Sequence, residues 1–123
     1  MNYLKLFVVG TFAALTFGQD ASANPSARIQ VSDIKPLLIR AIDQGSAHGV
    51  LVGEAATYVR QKFESTAPIE IDVRTLHALP QPGCSRLEVT TRQKDVLEKA
   101  KRGDKELTYQ VSYCRDGRFP EKR

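Results

Sequence analysis

Few side chains in this sequence are of the types that do chemistry, and they are spread along it. The histidines are His48 and His77, and the cysteines are Cys84 and Cys114. An imidazole titrates near neutral pH and can serve as a base or a switch. A small hydrolase using His48 or His77 with a carboxylate is therefore one reading, although each histidine is better placed as a surface or end-of-element residue. Glu70 and Asp72, with Glu88 within reach across a sheet, are candidate paired carboxylates. Arg74 and Arg86 interleave with them, which favours a solvated ladder of opposite charges. No G-x-S-x-G, H-E-x-x-H, P-loop or C-x-x-C motif occurs. Two thiols with two distant histidines fall short of a metal set. The sequence thus predicts a non-enzyme, with no catalytic, cofactor-binding or metal-binding residue assigned.

The cysteines make most sense together with the start of the chain. Lys5 is followed by an apolar run, residues 6–17, and then by Ala21-Ser22-Ala23. That run is shorter than the ~20 residues of a transmembrane helix. With the small-x-small site behind it, it predicts a signal peptide, residues 1–23, cut between Ala23 and Asn24. The mature chain would have about 100 residues, which suits one small domain. It would be soluble and periplasmic or secreted, with no membrane anchor after cleavage. In that compartment two cysteines pair, so a Cys84–Cys114 disulfide is expected. By the chain-entropy argument a loop of this length is worth roughly 3–4 kcal/mol.

The elements that would position these residues follow from periodicity. Residues 24–31 read as a flexible leader and 32–120 as a single α+β domain, with a tail at 121–123. Ile34, Leu37, Leu38, Ala41 and Ile42 form one helical stripe. Ser32 or Asp33 is a candidate cap, Pro36 falls in the first turn and Gly45 is the stop. A second helix is expected over residues 47–63, with Val52, Ala55, Ala56, Val59 and Phe63 inward. On it Gly45, Gly49 and Gly53, spaced four apart, would form a bare ridge. Such a ridge suits either partner docking or close packing inside the domain.

From Pro68 the period changes to two. Ile69, Ile71 and Val73 alternate with Glu70, Asp72 and Arg74, and a bulge or strand end is expected near Leu76. Leu87 and Val89 continue the pattern in a second strand from about Cys84. Leu107, Tyr109, Val111 and Tyr113 continue it in a third. A short helical turn is expected between them around residues 95–101. Pairing Cys84 with Cys114 in antiparallel register also sets Leu87 opposite Val111 and Val89 opposite Tyr109. One register therefore serves both the bridge and an apolar face, with the cysteines on the outer face. The expected fold is α+β: two helices followed by a three-stranded antiparallel meander, in two layers, with one disulfide.

Net charge is +4, mildly basic. The basic run at 94–105 lacks interleaved aromatics and carries its own acids, so nucleic acid is not an expected partner. Arg102-Gly103-Asp104 within it reads as a turn. In the C-terminal part, Pro82-Gly83-Cys84-Ser85-Arg86-Leu87-Glu88-Val89-Thr90-Thr91 and Tyr113-Cys114-Arg115-Asp116-Gly117-Arg118-Phe119-Pro120 resemble small exported proteins of bacterial conjugation and type IV secretion gene clusters, including the KikA-like group. The resemblance covers about the last forty residues and carries no catalytic role with it. It implies a periplasmic accessory protein of plasmid transfer. Export, small size, a disulfide and no catalytic signature make another envelope protein the expected partner. An inhibitor or immunity protein for an envelope enzyme or toxin has the same size and disulfide use, and is the alternative alongside the hydrolase.

Overall fold

The computed structural model describes residues 27–121. The predicted cleavage between Ala23 and Asn24 lies outside those residues. Within them the order is β1 (Ile29–Val31), α1 (Lys35–Gln44), β2 (Ser46–Leu51), α2 (Glu54–Lys62), β3 (Glu70–Ala78), β4 (Cys84–Glu98) and β5 (Lys101–Cys114). The strands form one sheet in the order β1-β2-β3-β4-β5. β1 runs parallel to β2, and every other neighbour is antiparallel. The expected three-stranded meander is thus corrected to a five-stranded mixed sheet. The antiparallel run β3-β4-β5 is only part of it.

α1 packs on one face of the sheet. Its Leu37, Leu38 and Ala41 are buried against Ala47, Ile71, Val73, Leu87, Val89 and Tyr113, with Val31 alongside. This is the stripe that the apolar spacing predicts. Pro36 occupies the first turn, and Gly45 closes the helix at φ 93, donating its N–H to the Ala41 carbonyl at 2.7 Å. A left-handed residue there favours glycine. Asp33, one of the two candidate caps, accepts from the Lys35 N–H with its Oδ1 at 2.8 Å, from the position before the N-cap residue Ile34.

Three expectations fail at the N-terminal half. The expected long second helix is two elements, β2 and α2, and Ile29–Val31 is a strand instead of a leader. β2 alternates Ala47 and Gly49, both buried, with His48, exposed. Its inward residues are small because α1 lies directly on them. A Cβ on Gly49 would sit 2.9 Å from both Leu37 methyl carbons and 3.0 Å from the Ile29 carbonyl oxygen. Gly45, Gly49 and Gly53 consequently belong to a helix end, a strand and the start of α2, and form no ridge on one helix.

The C-terminal half keeps the expected register. Cys84 faces Cys114, Leu87 faces Val111 and Val89 faces Tyr109, and a disulfide joins the two cysteines. β3 carries an irregularity between Thr75 and His77, where Leu76 breaks the alternation. The unbroken register keeps the bridge on the side the parity predicts, away from the apolar rows, but it is buried there, with each cysteine 3% exposed. The adjoining turns are tied across it: Arg115 donates to the Gly83 carbonyl at 2.8 Å, and Cys114 to the Arg118 carbonyl at 2.9 Å.

The expected helical turn at 95–101 is also corrected. β4 continues to Glu98 and β5 begins at Lys101. Between them Lys99 and Ala100 have φ values of 54 and 67, the mirror-type turn whose twist suits a two-residue hairpin. A bulge between Gln93 and Val96 absorbs one extra residue of β4. Val96 thereby lands on the helix side, 2% exposed. Arg102-Gly103-Asp104 lies in β5 and is not a turn.

Candidate functional site

Two surfaces draw on the residues singled out by the sequence. The first is the sheet face opposite α1. Strand pairing aligns His48, Asp72, Thr90 and Thr108 in one row across it, with Glu70, Arg92 and Glu106 in the next. Asp72 is the hub. Arg28 Nη1 donates to its Oδ1 at 2.9 Å and Nη2 to its Oδ2 at 3.4 Å. Arg92 Nη1 donates to Oδ2, and His48 Nδ1 lies 2.7 Å from Oδ1. Partial burial on its own would raise the Asp72 pKa. The hydrogen bonds from Arg28, His48 and Arg92 outweigh it and bring the pKa down to about 2. An ionised carboxylate only accepts, so Nδ1 of His48 carries the proton in this contact.

Arg28 is held on more than one side. It also donates to the Gly49 carbonyl at 3.1 Å and lies 3.6 Å from Glu70. Next along the face, Arg74 donates to Glu88 at 2.8 Å, and Arg86 to Gln110 and Ser112 at 3.1 and 2.9 Å. Of the ladder predicted from the alternation, the Arg74–Glu88 pair is present, while Arg86 meets neutral side chains; Glu70 and Asp72 are paired instead by Arg28 and Arg92, which the sequence did not point to. The face also unites His48 with a carboxylate. His77 instead meets the backbone oxygen of Ala78 at 3.2 Å. Among the described residues no group of three or more His, Cys, Asp and Glu side chains could hold a metal ion. No helix among them is long and apolar enough to cross a membrane.

The second surface is the outer edge of β5 and the helix-side corner beside it. β5 ends the sheet, and its residues are exposed from Lys101 through Gln110. Val111 and Tyr113 reach the core packed by α1. Further along the same face α1 no longer covers the strand, so Leu107 is 62% and Tyr109 41% exposed. Burial of part of the Tyr109 ring raises its phenol pKa above the usual 10. Between α2 and the β4–β5 ribbon lies a groove of about 360 Å³, with Val59, Phe63, Ile69, Val96 and Leu107 among its walls.

The strands around this corner are fixed in place. Leu97 N–H donates to the Phe63 carbonyl at 2.8 Å, and Ser65 Oγ donates to the Lys94 carbonyl at 2.7 Å. Gln93 Nε2 donates to the Ala67 carbonyl at 3.0 Å, and Arg102 to the Glu64 carbonyl at 2.9 Å. The apolar walls of the groove are thus held by a polar seam beside them, in which Ser65 and Gln93 are buried. The sequence offers Leu107 and Tyr109 as inward residues of a strand. It gives no signal that the helices stop short of them. Comparisons with protein-family models, curated proteins and solved structures find no match.

Proposed function

We propose that this chain is an exported, non-enzymatic accessory protein that works by binding other protein chains in the envelope, and that its contact surface is the β5 edge. The observation that carries this reading is the long exposed edge strand with Leu107 and Tyr109 uncovered beside an apolar groove. An open edge pairs readily with an added extended segment, because its main-chain N–H and C=O groups supply the hydrogen bonds and alternate side chains supply the fit. The apolar start of the sequence and the disulfide support export. The resemblance of the C-terminal part to proteins of conjugation and type IV secretion clusters supports a transfer channel as the setting.

Photo-cross-linking residues placed at Leu107 and Tyr109 in intact cells test this. Adducts with a protein chain from both positions, and none from exposed Arg40 on α1, are the expected result. Recovery of un-cross-linked monomer alone, with plasmid transfer unaffected by deletion of the gene, would sink the proposal.

A second reading has one observation in its favour. The His48–Asp72 contact of 2.7 Å is the orientation a histidine base requires. Asp72 is already engaged by two guanidinium groups, and the imidazole is 52% exposed on an open sheet face. The cluster serves better as a structural tie between the residue just before β1 and strands β2, β3 and β4. A hydrolytic activity lost in His48→Ala with folding intact would reverse that order.

A further inference from the structure

We infer that the strand docked on β5 is β5 of a second copy of this chain, so that one sheet runs through a two-fold dimer. This rests on the reading of β5 as the contact edge. Residues 107–112, Leu-Thr-Tyr-Gln-Val-Ser, contain no charge, proline or glycine. Exposed edges are ordinarily guarded by such residues or kept short. Here the charges of β5 are confined to the hairpin end, at Lys101, Arg102, Asp104, Lys105 and Glu106. The unguarded stretch is β-prone and uninterrupted, and needs a covering strand.

Its own sequence fits as that covering strand. A two-fold axis perpendicular to the sheet preserves the alternation of faces, so odd residues meet odd residues. Placing the axis at Thr108 sets Leu107 opposite Tyr109 of the second copy, and does so on both sides of the axis. Glu106 then faces Gln110, Asp104 faces Ser112 and Lys105 faces Val111, so no like charges are opposed. An axis at Glu106 would oppose two glutamates. One at Lys105 would oppose two lysines, and also Asp104 to Glu106. Charge therefore excludes the hairpin-end registers. An axis at Tyr109 also opposes no like charges, but it sets Leu107 against Val111, which already packs on the core; the axis at Thr108 sets the two exposed side chains, Leu107 and Tyr109, against each other. Leu107 is also a wall of the groove. Tyr109 of the second copy would therefore stand at the groove mouth, where its ring covers apolar surface and its hydroxyl stays wet.

Sedimentation of the oxidised mature protein, residues 24–123, from roughly 1 to 100 µM is the first measurement. A dimer is expected. Leu107→Lys should raise its Kd roughly 10- to 100-fold, and Thr108→Pro should leave only monomer. Single cysteines read the register. Across the axis the two Thr108→Cys residues face each other at the ~4.5–5.5 Å Cα spacing of an antiparallel pair. The two Gln110→Cys residues lie ~14 Å apart along the strands. In a glutathione buffer Thr108→Cys should give a cross-linked dimer and Gln110→Cys should not. Cross-linking favoured by Leu107→Cys or Tyr109→Cys overturns the register. A monomer at every concentration overturns the dimer. In that case, photo-adducts from Leu107 and Tyr109 to a different protein would leave the β5-edge reading standing, and their absence would remove both.

Discussion

Asp72 is the residue whose protonation should matter most. Its pKa of about 2 in the folded chain lies below the ordinary 3.8. The corresponding stability is fully present above about pH 4 and is lost as pH falls toward 2. With screening around partly exposed arginines, this amounts to about 1–2 kcal/mol. Denaturant titrations at stepped pH should show the loss in the wild type and a flatter profile in Asp72→Asn, which should already be less stable at pH 7. Parallel acid profiles would assign the effect to other carboxylates. Gly49 makes a second residue-scale point. Gly49→Ala forces a methyl against Leu37 and the Ile29 carbonyl, and should cost about 1–3 kcal/mol in the same assay. The outward position of Glu70, Asp72 and Arg74 was legible from alternation alone. Arg28 was not, because its link to Asp72 spans 44 residues and its neighbours Pro25, Ser26 and Ala27 read as leader.

At the scale of elements, legibility followed side-chain bulk. α1 and the β4–β5 pairing carry large apolar residues at regular spacing, and the parity of the cysteines fixed the hairpin register. β2 was missed because its inward positions are Ala47 and Gly49, which carry too little bulk to mark a period. Alanine-rich sequence beyond them favoured a helix, although two glycines inside it were a reason to doubt one. The burial of the bridge was missed because parity says which side a residue faces, and says nothing of what folds over it. Two predictions belong here. Ala100 adopts a left-handed conformation in the β4–β5 turn, so Ala100→Gly should stabilise the protein by about 0.5–1 kcal/mol in thermal or denaturant unfolding. Cys84→Ser should lower stability by roughly 3–4 kcal/mol, while thiol titration of the unreduced wild type finds no free thiol.

Across the whole molecule, layering is one-sided. α1 covers the sheet where Tyr113, Val89 and Val73 lie, and an ion-paired face points the other way. The end of the sheet beyond α1 is closed only in part, by α2 and the loop after it, so Leu107 and Tyr109 of β5 stay exposed there. A short sequence cannot announce this, because it depends on where two helices happen to stop. The same hairpin has a mechanical consequence. Cys84 and Cys114 close the end of the β4–β5 ribbon opposite its turn, 30 positions apart in sequence. A pull on the C-terminus therefore passes straight from Cys114 into Cys84, and β5 bears no tension. In single-molecule stretching, the oxidised chain should release a contour length shorter by about 100 Å than the reduced chain. The edge strand would remain zipped to β4 even after the rest of the sheet has been drawn out.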